Sequence, residues 1–325
     1  MAKVSNSHPP SSILHLRPIF LAGPTAVGKS EIALNLASRV GGEIISVDSM
    51  QVYRGLDIGT AKPTSAERAR VAHHLIDVAE LSQGFDAAKF VSLASKVMAE
   101  IQSRGRVPVF CGGTGLYFKA YLQGLGEAPP SDAALRATLD ASPLDELLRE
   151  LELLDPATFA IIDRNNPRRV VRAVEVIRLT GKPFSEQRSK WKDSTANTEI
   201  ATRIFAFTRA SADLHSRINR RVDAMFSLGL VDEVRHLLTR GLEKNPTAMQ
   251  AIGYRQVVEH LRGERGLAET IELVKARTRQ FAKRQMTWFR SQLNVVWIEL
   301  EPVTNTDQIL GQILSRTIRA DEVQS

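Results

Sequence analysis

Residues 23–30 read GPTAVGKS, directly after the apolar run PIFLA (18–22). Glycine, four residues, then Gly28, Lys29 and Ser30 is the P-loop spelling, a glycine-rich turn that cradles phosphates. The flanks agree. SEIALNLASRVGG places Ile32, Leu36 and Val40 at helical spacing and stops on paired glycines. A strand that enters a helix through such a turn aims backbone N–H groups from Gly23 through Gly28, and those of the helix N-terminus, at an anion. Lys29 adds positive charge for terminal phosphates, and Ser30 a hydroxyl ligand for Mg²⁺. The stretch binds a phosphate ester, and it calls for a strand–loop–helix at the head of an α/β domain.

Working outward, β-like runs alternate with helical text: EIISVD (43–48), HHLIDV (73–78), VPVFCGG (107–113), and later ATRIFAFT (201–208) and NVVWIEL (294–300). This alternation predicts a P-loop NTPase-like parallel sheet with helices on both faces. Near residue 124 the texture changes to the turn-rich GLGEAPPSDAALR, followed by helical segments to about residue 180. The expected organisation is a disordered lead-in over 1–14, a core of 15–123 and 201–325, and a mainly helical insertion at 124–200. The tail ADEVQS is expected to fray.

The 325 residues are 43% hydrophobic, enough for one large or two smaller cores. No run reaches the ~18 apolar residues of a membrane span, and the N-terminus lacks signal-peptide layout. The single cysteine, Cys111, fits a reducing cytoplasm and reads as a small buried apolar residue. A net charge of +7 points to a polyanionic partner.

That charge is clustered in three stretches. In 164–192, Asn166 caps and Pro167 opens a helix that Gly181 stops, with Arg168, Arg169 and Arg172 on it. In 275–290, a stripe of Ile271, Val274, Phe281 and Trp288 is expected to be buried, with Arg279, Lys283 and Arg290 outward. In 214–226, Leu214, Ile218, Val222 and Met225 form the core stripe, while Arg217 and Arg221 share another face. Three such runs, interleaved with Trp191 and Trp288, predict contacts to a nucleic-acid backbone.

Two further stretches carry chemistry. Asp48 ends an apolar strand, so it faces the crevice beside the P-loop as Mg²⁺ ligand, general base or cap. In VFCGGTGLYFKA, Gly112, Gly113 and Gly115 are expected to let backbone approach a ligand, with the Thr114 hydroxyl among them. His73 and His74 lack metal-ligand company and read as structural, and no Cys/His cluster suggests zinc.

Taken in order, GPTAVGKS, VDSMQVYRGLDIGTAKP, HHLID, GGTGLYFKA, TGKP, GYRQ and AKRQMTWFR resemble the tRNA dimethylallyltransferases, from about residue 18 to about residue 300. The resemblance implies a P-loop-type core with an inserted helical domain. It implies that Thr25, Ala26, Val27, Gly28, Lys29 and Ser30 hold the diphosphate of dimethylallyl diphosphate, with Mg²⁺. The dimethylallyl group would pass to N6 of adenosine 37 in the anticodon stem-loop of tRNAs reading codons that begin with U. Asp48 matches the family's catalytic aspartate and Thr114 its GGT threonine. Arg217 and Arg221 would neutralise diphosphate or tRNA phosphate. Asp48, Ser49, Met50 and Gln51 would grip the flipped adenosine, and Arg136, Arg168, Arg169, Arg172, Lys283 and Arg284 would contact tRNA. Nothing in that reaction needs more than a monomer.

Val27 and Asp86 stand where many relatives carry serine, and Asn166 where they carry aspartate. The competing readings are a P-loop small-molecule kinase with a helical lid and a nucleic-acid-stimulated ATPase whose acid would be Asp48 or Asp77. The kinase leaves the basic helices at 164–192 and 275–290 unexplained, and the ATPase calls for a sensor and an arginine finger besides its acid.

Overall fold

A computed structural model describes residues 17–125, 129–187, 203–303 and 305–322. The expected lead-in, Trp191 with the end of the 164–192 stretch, and residues 323–325 lie outside the described residues. All six predicted strand runs contribute: β1 (Ile19–Ala22), β2 (Glu43–Val47), β3 (His73–His74), β4 (Pro108–Gly112), β5 (Ile204–Thr208) and β6 (Val296–Glu299). They form one parallel sheet in the order β3-β2-β4-β1-β5-β6. β3 keeps only two residues of HHLIDV, because Leu75 and Asp77 take positive φ of 60° and 57° and turn the chain out of the ladder.

In chain order the helices are α1 (Lys29–Val40), α2 (Ser65–Arg70), α3 (Ala87–Ser103), α4 (Gly115–Gln123), α5 (Ala133–Ala141), α6 (Leu144–Leu154) and α7 (Pro156–Ile161). After them come α8 (Pro167–Thr180), α9 (Phe184–Gln187), α10 (Ser211–Ser227), α11 (Leu230–Thr239), α12 (Tyr254–Leu261), α13 (Leu267–Gln292) and α14 (Thr306–Glu322). By contact the chain divides into two compact units, residues 1–119 with 197–325, and residues 120–196.

In the first unit the strand alternation sorts the core. Ile19 and Leu21 of β1, Val109 and Cys111 of β4, and Phe205 and Phe207 of β5 face one layer, with Ile32, Leu36, Ile218 and Ile313 from α1, α10 and α14. Phe20 and Phe110 point the other way and stack at 4.8 Å. α3, which packs on β2 and β4, brings Phe90, Ala94 and Ile101 outside the first layer's cluster. Asp86 starts that helix by accepting a hydrogen bond from the Lys89 amide at 2.8 Å, so this departure from the family is a helix cap. His73 and His74 are structural: Nδ1 of His73 lies 2.8 Å from the Val71 carbonyl, and Nε2 of His74 2.7 Å from Glu43.

The stripe expected on α13 needs correction. Its buried residues are Thr270, Val274, Ala282, Gln285 and Phe289, while Phe281 is 38% exposed and Trp288 half-buried. The helix is rotated so that Gln285 points inward, and Arg284 lies over the outward Phe281 ring at 5.9 Å. On α10 Leu214, Ile218 and Val222 of the expected stripe are buried, while Met225, expected with them, is only half-buried.

The second unit is helical around Leu139, Leu147, Leu151, Val170, Val174 and Ile177. Asn166 and Pro167 open α8 and Gly181 closes it at φ 68°, although the Asn166 side chain makes no capping bond. Glu175 on α8 is fully buried and gathers Arg172 at 2.7 Å, Arg136 at 3.4 Å and Ser131 at 2.5 Å. Arg136 and Arg172, expected at tRNA, are therefore turned inward onto a carboxylate that needs them. Arg168 and Arg169 are exposed.

Candidate active site

Four strand ends meet at the carboxyl edge of the sheet, where parallel α/β folds bind ligands. β1 delivers the P-loop, β2 Asp48, β4 Gly113 and Thr114, and β5 Arg209. In the loop, Gly23, Ala26 and Gly28 take positive φ of 147°, 62° and 108°. A non-glycine residue there costs about 1–3 kcal/mol and persists only where its surroundings hold it. Two arginines do so. The carbonyl of Ala26 accepts from Nε of Arg217 at 3.0 Å, and that of Val27 from Nε of Arg209 at 2.7 Å. Arg209, itself buried, also donates to Asp213 at 2.8 Å and to the Glu301 carbonyl at 2.7 Å.

With its carbonyls drawn outward, the loop turns its amides the other way. Among the described residues the N–H groups of residues 26–31 find no acceptor in the protein. Consecutive unpaired amides at a helix N-terminus make an anion-binding concavity. Of the residues expected to hold diphosphate, Ala26 through Ser30 supply amides. Thr25 is different, because its amide already donates to Oε1 of Gln285 at 2.9 Å, leaving the hydroxyl. Gly23 serves the turn itself: a Cβ there would lie 3.1 Å from the Phe207 carbonyl.

Beside the loop opens a cleft of about 450 Å³, lined by Gly28, Lys29, Ser30, Gln51, Arg217 and Arg221 among others. Nζ of Lys29 donates to the Pro24 carbonyl at 3.1 Å. Burial lowers the pKa of Lys29, Arg217 and Arg221, and the charge of Asp48 opposes that fall at Lys29 and Arg221. These cations lack full hydration, so an incoming anion gains more from them than it would in water. Beneath the cleft, burial pushes the Cys111 thiol up to about 11, consistent with an inert apolar residue.

Across from the loop, Oδ1 of Asp48 accepts from the amides of Met50 at 2.8 Å and Gln51 at 3.2 Å, closing a turn on itself. Oδ2 accepts no hydrogen bond among the described residues. Oγ1 of Thr114 accepts from the Ser49 amide at 3.0 Å, tying the β4 end to the β2 end. Gln51 is a fastener: it accepts from Ser46 at 2.9 Å and donates to the carbonyls of Thr60 and Ala61 at 3.1 and 3.3 Å. Farther along the same segment, Glu233 of α11 accepts from the amides of Asp57, Ile58 and Gly59 at 3.3, 2.8 and 3.4 Å, and from the Tyr254 hydroxyl at 2.6 Å. Asp77 is occupied by Lys62 at 2.5 Å and Arg68 at 3.0 Å.

The glycines of GGTG do not face a ligand as expected. A Cβ at Gly112 would lie 2.0 Å from the Val47 carbonyl, at Gly113 2.4 Å from Gln285, and at Gly115 2.2 Å from the Trp288 ring. They admit other parts of the protein. Sequence reasoning missed Gln285, Arg209 and Glu233. Gln285 had a signal, since it falls on the same helix face as Ala282 and Phe289, and Arg209 shared with Asp48 its place just past a strand. Glu233 had none.

An amide cradle facing a strand-end carboxylate, on a parallel sheet, defines a P-loop-type α/β enzyme that acts on a phosphate ester. The family model described as "IPP transferase" matches residues 51–292, and the chain belongs to that family. It is 43% identical over 299 residues to tRNA dimethylallyltransferase 1 of Citrifermentans bemidjiense, covering 92% of this chain and 96% of that one. With tRNA dimethylallyltransferase of Halorhodospira halophila it shares 47% over 282 residues, 85% of this chain and 90% of the other. The crystal structure of full-length tRNA isopentenylpyrophosphate transferase from Bacillus halodurans matches with a TM-score of 0.69 at 38% identity, covering 95% and 99% of the two chains. A eukaryotic dimethylallyltransferase acting on tRNA matches with a TM-score of 0.70 at 26% identity, covering 93% and 77%. Membership disfavours the kinase reading. Among the described residues no helix is long and apolar enough to cross a membrane.

Proposed function

We propose that the chain transfers the dimethylallyl group of dimethylallyl diphosphate to N6 of adenosine 37 in tRNAs reading codons that begin with U, giving N6-(dimethylallyl)adenosine and diphosphate. The observation that carries this reading is the opposition of two sites at the carboxyl edge of one sheet, at the ends of β1 and β2 on either side of β4. The unpaired amides of residues 26–31 lie with Lys29, Arg217 and Arg221 on one side, and Asp48 stands on the other.

The leaving diphosphate takes the loop amides, and Lys29, Arg217 and Arg221 neutralise the charge that grows as the C1–O bond breaks with its electron pair leaving on oxygen. Ser30, an exposed hydroxyl without a hydrogen-bond partner among the described residues, would hold Mg²⁺ together with the diphosphate. Among the described residues no group of three His, Cys, Asp or Glu is placed to hold a metal ion by itself. A metal held mainly by substrate phosphates and one or two protein oxygens fits that donor set. When bound, it supplies further charge neutralisation.

The N6 lone pair forms the new bond to C1, and its proton passes to Oδ2 of Asp48, the oxygen not engaged in the turn. The target base leaves its stack to arrive there. Ser49, Met50 and Gln51 frame the adenosine, and Thr114, whose own proton meets Ser49 Oγ only at 3.5 Å, offers that proton to the substrate. Arg168, Arg169, Lys283 and Arg284, all exposed, contact tRNA phosphates. Arg136 and Arg172 support the second unit from within. The enzyme acts as a monomer in the cytoplasm.

The test is transfer of labelled dimethylallyl to unmodified tRNA with Mg²⁺. Label at adenosine 37, absent when guanosine replaces it, is expected. Absence of label together with release of the γ-phosphate of ATP would overturn the reading.

A further inference from the structure

We infer that Gln285 is a positioning residue that sets the spacing between the diphosphate cradle and the acceptor-base pocket. The inference rests on the transferase reading above. Gln285 is 8% exposed, and both ends of its amide are engaged. Oε1 accepts from the Thr25 amide at 2.9 Å, and Nε2 donates to the Gly113 carbonyl at 2.9 Å. Thr25 belongs to the loop that holds the leaving group. Gly113 precedes Thr114, which holds the Ser49 amide next to Asp48. One side chain therefore joins the loop that binds the donor to the loop that receives the acceptor.

The backbone does not provide this link. β1 and β4 are adjacent, with Ala22 paired to Gly112, so their loops leave the sheet side by side. Beyond that pair, no backbone hydrogen bond joins residues 23–30 to Gly113 or Thr114 among the described residues. The gap presents an N–H on one wall and a carbonyl on the other. A primary amide accepts at one atom and donates at the next, whereas a carboxylate only accepts and a thioether does neither usefully. The amide rides on a fixed element: Phe289, one turn on, is fully buried edge-on to Phe118 at 6.0 Å, and the Trp288 ring closes on Gly115. Gly113 is part of the fit, because a Cβ there would lie 2.4 Å from Nε2 of Gln285.

The test uses the full chain with Gln285→Met, Gln285→Glu and Gly113→Ala. It reads transfer kcat, KM for both substrates, the Kd of inorganic diphosphate, and the melting temperature. A strut that aligns C1 with N6 predicts kcat down about 10- to 100-fold, since an ångström of misplacement costs that much. Diphosphate Kd and tRNA KM should stay within about threefold, because ground-state binding is made elsewhere. Gly113→Ala should reproduce the kcat loss, and the double variant Gly113→Ala/Gln285→Met should be no slower than the slower single variant, as expected of residues acting through one contact. Should Gln285→Met fail to fold, Gly113→Ala carries the same test. Unchanged kcat, a loss confined to diphosphate affinity, or activity that falls only in step with melting temperature would each overturn the strut. A wild-type chain that transfers nothing would overturn the transferase reading instead, and with it the role given to Gln285 in that reaction.

Discussion

Exchanging Asp48 for asparagine changes the chemistry of one atom and leaves its turn standing. Asparagine Oδ1 can still accept from the amides of Met50 and Gln51, which lie 2.8 and 3.2 Å from the native oxygen. The other carboxylate oxygen becomes an amide nitrogen that cannot take a proton from N6. Loss of a positioned base costs about 10²–10⁴ in rate, equivalent to roughly 2.7–5.4 kcal/mol of transition-state stabilisation. Alanine at the same position loses the rate and both turn bonds, and at about 0.5–1.5 kcal/mol per bond its folding stability falls by about 1–3 kcal/mol. The charge of Asp48 also reaches Lys29 and Arg221. Removing it leaves those cations freer for diphosphate, so diphosphate affinity is expected to hold or rise in either variant. Single-turnover transfer of labelled donor measures the chemical step without interference from product release, and a thermal melt separates the two substitutions. An asparagine variant within threefold of wild-type rate would end the base assignment. Equal stability loss in the two variants would refute the turn argument.

Three other perturbations test the rest of the molecule. Arg168→Ala and Arg169→Ala should each lower the slope of log affinity against log salt by about one phosphate contact, while Arg172→Ala, whose guanidinium is held by Glu175, should leave that slope alone and lower the melting temperature. Glu175→Gln should cost about 1–3 kcal/mol. Burial alone would raise the Glu175 pKa, but hydrogen bonds from Ser131 and Arg172 and the charge of Arg136 outweigh it and hold it below its ordinary 4.5. Its contribution is therefore present above the unfolded value and lost as pH falls through the lower folded one, so the gap in melting temperature between wild type and Glu175→Gln should close below about pH 4; a gap that widens on acidification would reverse the sign. Gly112→Ala puts a methyl 2.0 Å from the Val47 carbonyl in the adjacent strand, and the urea midpoint should report a loss of about 3 kcal/mol, the upper end of the usual cost of overpacking because backbone cannot step aside.

Most of the sheet was legible because its strands are short unbroken apolar runs ending in glycine, aspartate or threonine, the residues that parallel strands hand to a crevice. The P-loop and Asp48 were legible for the same reason. What stayed hidden depended on rotation and partnership. Gln285 and Phe281 lie four residues apart, offset by only about 40° around the helix axis, and hydrophobicity alone chose the phenylalanine for the interior, whereas two unmet backbone groups at the cradle chose the glutamine. Arg172 looked like a phosphate contact because a basic run does not announce that a buried glutamate on the same helix will claim one of its members, and Arg136 reaches that glutamate from α5. The glycines at and after the end of β4 were visible as places of close approach, yet nothing in the sequence says that the approaching groups are Val47, Gln285 and Trp288.

The order in which the sheet is written has a consequence for synthesis. β1 lies between β4 and β5, and β5 begins at residue 204. Arg209, Arg217, Arg221 and Gln285 likewise come from the later stretch of the same unit. A ribosome that has made the first two hundred residues has released a P-loop sequence on an uncovered edge strand, with no arginine behind its carbonyls and no amide bridging it to β4. The bridge between the P-loop and β4 thus arrives near the end of translation, when α13 emerges, and a fragment that stops before Gln285 carries the motif without the side chain that ties Thr25 to Gly113.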